Sequence, residues 1–165
     1  MKVVQSMAVG DIVRQGDVFL QRIGEANEPI NPVEIVEDGI LARGEVTGHI
    51  HEVADMTMLS EEDQKFLEEI SMRICRPLVF KDPETVTVRT TSNSGIPLVQ
   101  YRIAKVHAPE PFILAHYDSA TRIIPSDEEA LARDLHHAVL LPAGLYMAIQ
   151  QGEHDEEKEM RRVVD

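Results

Sequence analysis

The chain contains no tryptophan and a single cysteine, Cys75. One cysteine cannot form an internal disulfide, which fits a reducing compartment, so we predict a cytoplasmic protein. No run of about 18 apolar residues occurs, and the apolar part of the N-terminus is too short for a secretion signal, so no membrane span is expected. Cysteine pairs spaced for zinc, glycine-rich phosphate loops and the Gly-x-Ser-x-Gly pattern of hydrolases are also missing from the sequence.

Basic residues are scarce, with 16 Lys and Arg against 29 Asp and Glu, which gives a formal net charge of −13. So acidic a surface repels phosphate backbones and anionic membranes, and neither nucleic acid nor membrane is expected as a partner. Mimicry of a nucleic acid is a distant alternative. It requires carboxylates over one continuous face, whereas here they cluster in two helical segments and the tail.

The sequence contains many short segments of alternating apolar and polar residues, separated by Gly and Pro turns. This pattern predicts many strands. Ser60 and Ser126 begin capping-box patterns, and they predict helices over residues 61–74 and from 127 to about 135. The expected fold is therefore mainly β, a barrel or a sandwich, with two inserted α-helices. Short strands are also expected at 112–116 and 121–124.

The length of 165 residues fits one domain. We expect a single β-rich domain over residues 1–152, in which the segment 56–125 elaborates the core. Residues 153–165 are highly charged and are expected to form a tail that is a frayed helix or disordered.

The richest chemical pattern is the His-x-His pair His49 and His51, within a segment expected to be a strand from about Val46 to Val53. Strand side chains alternate faces, so both imidazoles point the same way and Glu52 points the opposite way. Two such imidazoles can chelate a metal, act as an acid–base pair or cap a polar pocket. Gly48 indicates a bend where a histidine can instead satisfy backbone groups, so a structural or ligand-contacting role stays open.

The metal hypothesis needs a third ligand. We prefer His136, because the strand that follows it must return to the same β-structure, with His137 as the alternate. Glu45 or Asp55 is the expected carboxylate ligand, and zinc, iron, manganese or nickel are the candidate ions. His116 ends the strand expected at 112–116, and because it lies near loop prolines it is expected to contact solvent.

Two resemblances accompany these residues. Gly44, His49-Ile50-His51 and Asp55, followed much later by Pro142-Ala143-Gly144, resemble the two motifs of the cupin superfamily, with Met147 where the second motif has a histidine. That resemblance implies a β-barrel with a metal held by histidines and a carboxylate.

A second pattern is similar to a set of small uncharacterised bacterial and phage proteins. It comprises Gln15-Gly16-Asp17-Val18, then GEVTGHxH at 44–51, then His136 ahead of LPAGxY at 141–146, with 56–125 as an expansion. It implies no activity.

Two functions follow as hypotheses. The first is a non-catalytic module of phage or mobile-element origin that self-associates or binds a protein partner, because no complete catalytic set is visible. The second is a cupin-like metalloprotein or metalloenzyme that acts on a small molecule through His49, His51 and His136. The sequence does not decide whether the protein is an enzyme.

Overall fold

A computed structural model describes residues 1–43, 48–91, 97–133, 135–155 and 158–162, with side chains except at 87–100 and 151–162. The strands in chain order are β1 (Lys2–Val3), β2 (Ile12–Gln15), β3 (Val18–Gly24), β4 (Glu34–Ile35), β5 (Ile40–Arg43), β6 (His49–Ala54), β7 (Leu78–Lys81), β8 (Thr87–Thr91), β9 (Pro97–Ala108), β10 (Phe112–Asp118), β11 (Val139–Leu141), β12 (Gly144–Asp155) and β13 (Lys158–Arg162). The helices are α1 (Glu61–Glu69) and α2 (Asp127–Ala132), and a 3-10 turn covers Met56–Met58.

The strands form two sheets. The first has five strands in the order β1-β11-β10-β6-β5, and the second has eight, with the path β2-β3-β12-β9-β7-β4 plus β8 beside β9 and β13 beside β12. Within the described ranges no strand pairs with both sheets, so the fold is β-sandwich-like and not a closed barrel. The predicted mainly β class with two helices is confirmed.

The main core lies between the sheets. Val53 and Leu114 of the first sheet pack in one cluster with Val18, Leu20 and Ala148 of the second. A second apolar cluster covers the opposite face of the first sheet, where residues of the β6–β10 pair meet side chains from the helical segment and the loops. The first sheet is therefore covered on both faces, and polar groups on its strands need partners inside the protein.

Both helices begin as predicted. The Ser60 hydroxyl accepts from the Asp63 backbone N–H, and Ser126 with Glu129 forms a complete capping box. The predicted end of α1 is wrong, because the helix stops at Glu69 and Ser71 adopts a left-handed backbone with φ of +53°. Once a residue enters that region the α-helical repeat cannot continue.

Three further outcomes concern the ends and middle of the chain. The strand predicted at residues 121–124 is wrong, since no strand is assigned there. The expectation of helix or disorder is wrong for 153–155 and 158–162, which belong to the antiparallel pair β12–β13. The segment 56–125 contributes β10 to the middle of the first sheet and β9 to the second. None of the described helices is long and apolar enough to cross a membrane.

Candidate functional site: a buried histidine cluster

Two adjacent strands bring three histidines together. β6 and β10 are antiparallel, and their register places His51 directly opposite His116. The ring centroids of His51 and His116 are 4.4 Å apart in a stacked arrangement, and His49 meets His116 edge-on at 5.0 Å. His136, in the loop before β11, adds a fourth ring 4.8 Å from His116. The structure thus brings His49, His51 and His136 into one cluster with His116 at its centre.

The cluster faces the interior between the two sheets. His51 shares a face of β6 with the core residue Val53, because strand side chains alternate. His51 and His116 are both fully buried, whereas His49 and His136 are partly exposed. The strand expected at 112–116 is present as part of β10, but the expectation that His116 contacts solvent is wrong. It lies inside β10, and its role depends on a pairing with β6 that no local pattern reveals.

The second sheet closes the site with three polar side chains that the sequence analysis did not assign to it. They are Gln15 of β2, Asp17 in the β2–β3 turn and Gln150 of β12, each no more than 5% exposed. The turn has two central residues, Gly16 and Asp17, and Gly16 has a positive φ of +62°. Glycine at the first central position is typical of a type II′ hairpin turn, and this turn brings Asp17 to the cluster.

Gln15 fixes the proton on His51. Its Nε2 donates to the backbone carbonyls of His137 (2.9 Å) and Leu114 (3.2 Å), so its Oε1 faces His51 as an acceptor. The Nδ1 of His51 lies 3.0 Å from that oxygen and must therefore carry the hydrogen. A neutral His51 consequently has its lone pair on Nε2.

Asp17 lies beside that lone pair. Its Oδ1 is 3.4 Å from His51 Nε2, and its Oδ2 accepts a hydrogen bond of 2.7 Å from Gln150 Nε2. Both side chains of the His51–Asp17 pair are almost completely buried. A nitrogen lone pair and a carboxylate oxygen repel each other at this distance unless a proton or another cation lies between them.

His116 has the opposite tautomer. The backbone N–H of His136 donates to His116 Nδ1 at 2.9 Å, so that nitrogen holds no hydrogen. A neutral His116 is therefore protonated at Nε2, and neither of its ring nitrogens offers a lone pair for a further ligand. The central ring of the cluster thus positions the loop that carries His136.

Two of the alternate site residues, His137 and Asp55, make other contacts. His137 is half-exposed, and its Nδ1 is 2.9 Å from Asp127. Asp55 caps the 3-10 turn by accepting from the Thr57 backbone N–H, and Glu45 lies outside the described residues. Met147 is buried on the face of β12 opposite to the core residues Tyr146 and Ala148, which directs it away from the space between the sheets.

A second buried polar pair lies on the other face of the β6–β10 pair. Glu52 points away from the histidines as predicted, and its carboxylate accepts a hydrogen bond from the Tyr117 hydroxyl. Burial, followed by the hydrogen bond to Glu52, raises the pKa of Tyr117 to about 12, against an opposing effect of Arg122. The two faces of one strand pair therefore hold separate polar networks.

In the described part of the chain, no group of three or more His, Cys, Asp or Glu side chains is already arranged to hold a metal ion. Comparisons of the chain with protein-family models, curated proteins and solved structures found no match. The site must therefore be interpreted from its own chemistry.

Proposed function

We propose that this protein binds a divalent transition metal, with His51 Nε2 and Asp17 as the first two ligands and either His49 or His136 as the third. The observation that carries the proposal is the His51–Asp17 pair, in which a lone pair of fixed direction faces a buried carboxylate. A metal ion is the cation best suited to that arrangement, because neutral imidazole and carboxylate are both ligands of zinc and its neighbours.

The spacing supports this interpretation. Metal–nitrogen and metal–oxygen bonds of about 2.0–2.2 Å at a tetrahedral angle separate the two ligand atoms by about 3.3–3.5 Å. The observed separation between His51 Nε2 and Asp17 Oδ1 is 3.4 Å. A direct N–H···O hydrogen bond is shorter, at 2.7–3.2 Å.

The surroundings of the pair also fit a metal site. Ligating histidines commonly donate their second ring N–H to an oxygen acceptor, and ligating carboxylates are themselves hydrogen-bonded. Gln15 accepts from His51 and Gln150 donates to Asp17, so both supports are present. To complete the ligand set, the side chain of His49 or His136 must rotate toward the metal. Glu45 remains the proposed alternative carboxylate ligand.

When bound, such an ion would act as a Lewis acid that lowers the pKa of a bound water or polarises a carbonyl. The residues of the chain supply the rest: Gln15 and Gln150 orient the two ligands, and His116 holds the loop of His136. A cytoplasmic location, suggested by the lone Cys75, belongs to the same proposal.

The test is metal analysis of protein purified without a histidine tag, followed by competition titration with zinc. We expect about one equivalent of metal and an affinity loss of at least about a hundredfold for His51→Ala. We expect a loss of at least about tenfold for Asp17→Asn and for one of the two variants His49→Ala and His136→Ala. A matched control, His107→Ala, removes a histidine that lies outside the cluster. Circular dichroism must show that every variant is folded.

The competing explanation is an imidazolium–carboxylate pair without metal. Protein that is metal-free as purified and binds zinc more weakly than about 10 µM would support that explanation and contradict the proposal. Equal affinity in wild type and His51→Ala would contradict it as well.

The non-catalytic, partner-binding module stays a second proposal. Its support is the edge strand β2, where Ile12 is 55% exposed and the adjoining Val9 is 59% exposed. Exposed apolar residues on a sheet edge that pairs with no described strand favour strand-to-strand association, here with a second copy of the chain. Sedimentation velocity that shows a dimer in wild type and a monomer in Ile12→Lys supports self-association through this edge, and a monomeric wild type excludes it.

A further inference from the structure

A groove next to the histidine cluster has an unusual charge. It is an open groove of about 430 Å³ between the edge of the first sheet at β1 and the edge of the second sheet at β2. Its ionisable lining residues are Lys2, Arg14, His136 and His137, and none of the described side chains that line it is acidic. The whole chain has a net charge of −13, so this surface is a local reversal of charge.

The Arg14 guanidinium is held in place while its terminal N–H groups point to no described acceptor. Its Nε donates to the Gly16 carbonyl at 2.7 Å, and its guanidinium carbon lies 5.3 Å from the ring centroid of Phe19. Within the described residues, neither terminal guanidinium nitrogen donates to a protein acceptor. A planar guanidinium fixed in this way binds a carboxylate or phosphate through two parallel hydrogen bonds.

The carboxylate that contacts the groove residue His137 does not cancel this charge. Asp127 accepts from His137 and from the Met1 amino group, so two cationic or hydrogen-bonding partners already face it. Lys2 forms no ion pair with a described residue. The positive charge of Lys2 and Arg14 is therefore available to a ligand.

The groove and the proposed metal site share His136, which lines the groove and contacts His116 in the cluster. We infer that the ligand of this site is a small molecule bearing an oxyanion, a carboxylate or a phosphate, held by Lys2 and Arg14 beside the histidines. Contact between this ligand and a metal rests on the proposed function. Anion binding by the groove can be measured on metal-free protein.

The test is titration of the protein with inorganic phosphate and, separately, with succinate, followed by NMR of backbone amides and by calorimetry. The double variant Lys2→Gln/Arg14→Gln removes the groove cations. The matched control Lys65→Gln/Arg76→Gln removes the same net charge from exposed positions outside the groove. Both are measured on metal-free and on zinc-loaded protein.

We expect the dissociation constant of at least one probe to rise by about tenfold or more in the groove variant and by less than about twofold in the control. The affected amides should include Gly16 and Val139, which line the groove. If phosphate binds and succinate does not, the ligand is a phosphate compound, and the reverse result assigns a carboxylate.

The two proposals fail separately. If the protein binds an anion through Arg14 but takes up no metal, anion binding in the groove is supported and the proposed metal-binding function is contradicted. If metal binds normally but neither probe binds at millimolar concentration, the proposal that the groove binds an anion is contradicted. An equal loss of anion affinity in the groove variant and the control contradicts it as well.

Discussion

Replacing Gln15 with leucine should destabilise the fold by a predictable amount. The Gln15 side chain is 3% exposed and bonds three groups: the carbonyls of Leu114 and His137, and Nδ1 of His51. Leu114 lies within the paired strand β10, so the loss of the hydrogen bond from Gln15 should cost least at the Leu114 carbonyl. Nδ1 of His51 is left buried and unsatisfied, and the part-buried carbonyl of His137 loses its donor, at about 1–2 kcal/mol each.

We therefore expect the free energy of unfolding of Gln15→Leu to be lower than wild type by about 2–4 kcal/mol at pH 7. Urea denaturation followed by circular dichroism measures it. The control is Gln21→Leu, because Gln21 is partly exposed and makes no side-chain hydrogen bond among the described residues. A loss below about 1 kcal/mol, or a loss equal to that of the control, would refute the hydrogen-bond assignment and with it the tautomer of His51.

Three further predictions concern other buried polar groups. Tyr117→Phe should lower the free energy of unfolding by about 1–3 kcal/mol, because buried Glu52 loses its hydroxyl donor; an unchanged midpoint in urea would contradict this. Burial raises the pKa of Tyr117 and of Tyr146 to about 12, so their stabilising effect is complete below about pH 10 and is lost as the pH rises through 12. Absorbance at 295 nm should show both phenols ionising near pH 12 in folded protein, and full ionisation of all tyrosines by pH 10.5 would argue against their burial. Burial alone would raise the pKa of Asp82, but hydrogen bonds from Lys105 and the Glu84 backbone outweigh it and lower the pKa, so its stabilising effect is present above about pH 4 and lost as the pH falls further. Denaturation at pH 5 and pH 2.5 should show a smaller acid-induced loss for Asp82→Asn than for wild type, and equal losses would count against the pair with Lys105.

Local chemistry was sufficient to predict part of this structure. The Ser60 and Ser126 caps could be read from residue type and spacing, since the serine hydroxyl and the following acidic residues act within one turn. The shared face of His49 and His51 follows from strand alternation, as does the opposite direction of Glu52.

The centre of the site could not be predicted in the same way. His116 joins the cluster only because β10 pairs with β6 across about 60 residues of intervening chain, in a register that places it opposite His51. Residues 15–17 were prominent only as part of a motif and as a turn, and nothing local shows that Asp17 reaches a strand of the other sheet. The early end of α1 also depends on the backbone of Ser71, a residue with no strong preference for the left-handed region.

The most direct test of the central claim is anomalous diffraction from crystals of the zinc-loaded protein at the zinc absorption edge. We predict one peak within about 2.3 Å of both His51 Nε2 and an Asp17 carboxylate oxygen, with His49 or His136 as a further ligand. A peak elsewhere, or no peak with His51 still 3.4 Å from Asp17, would contradict it.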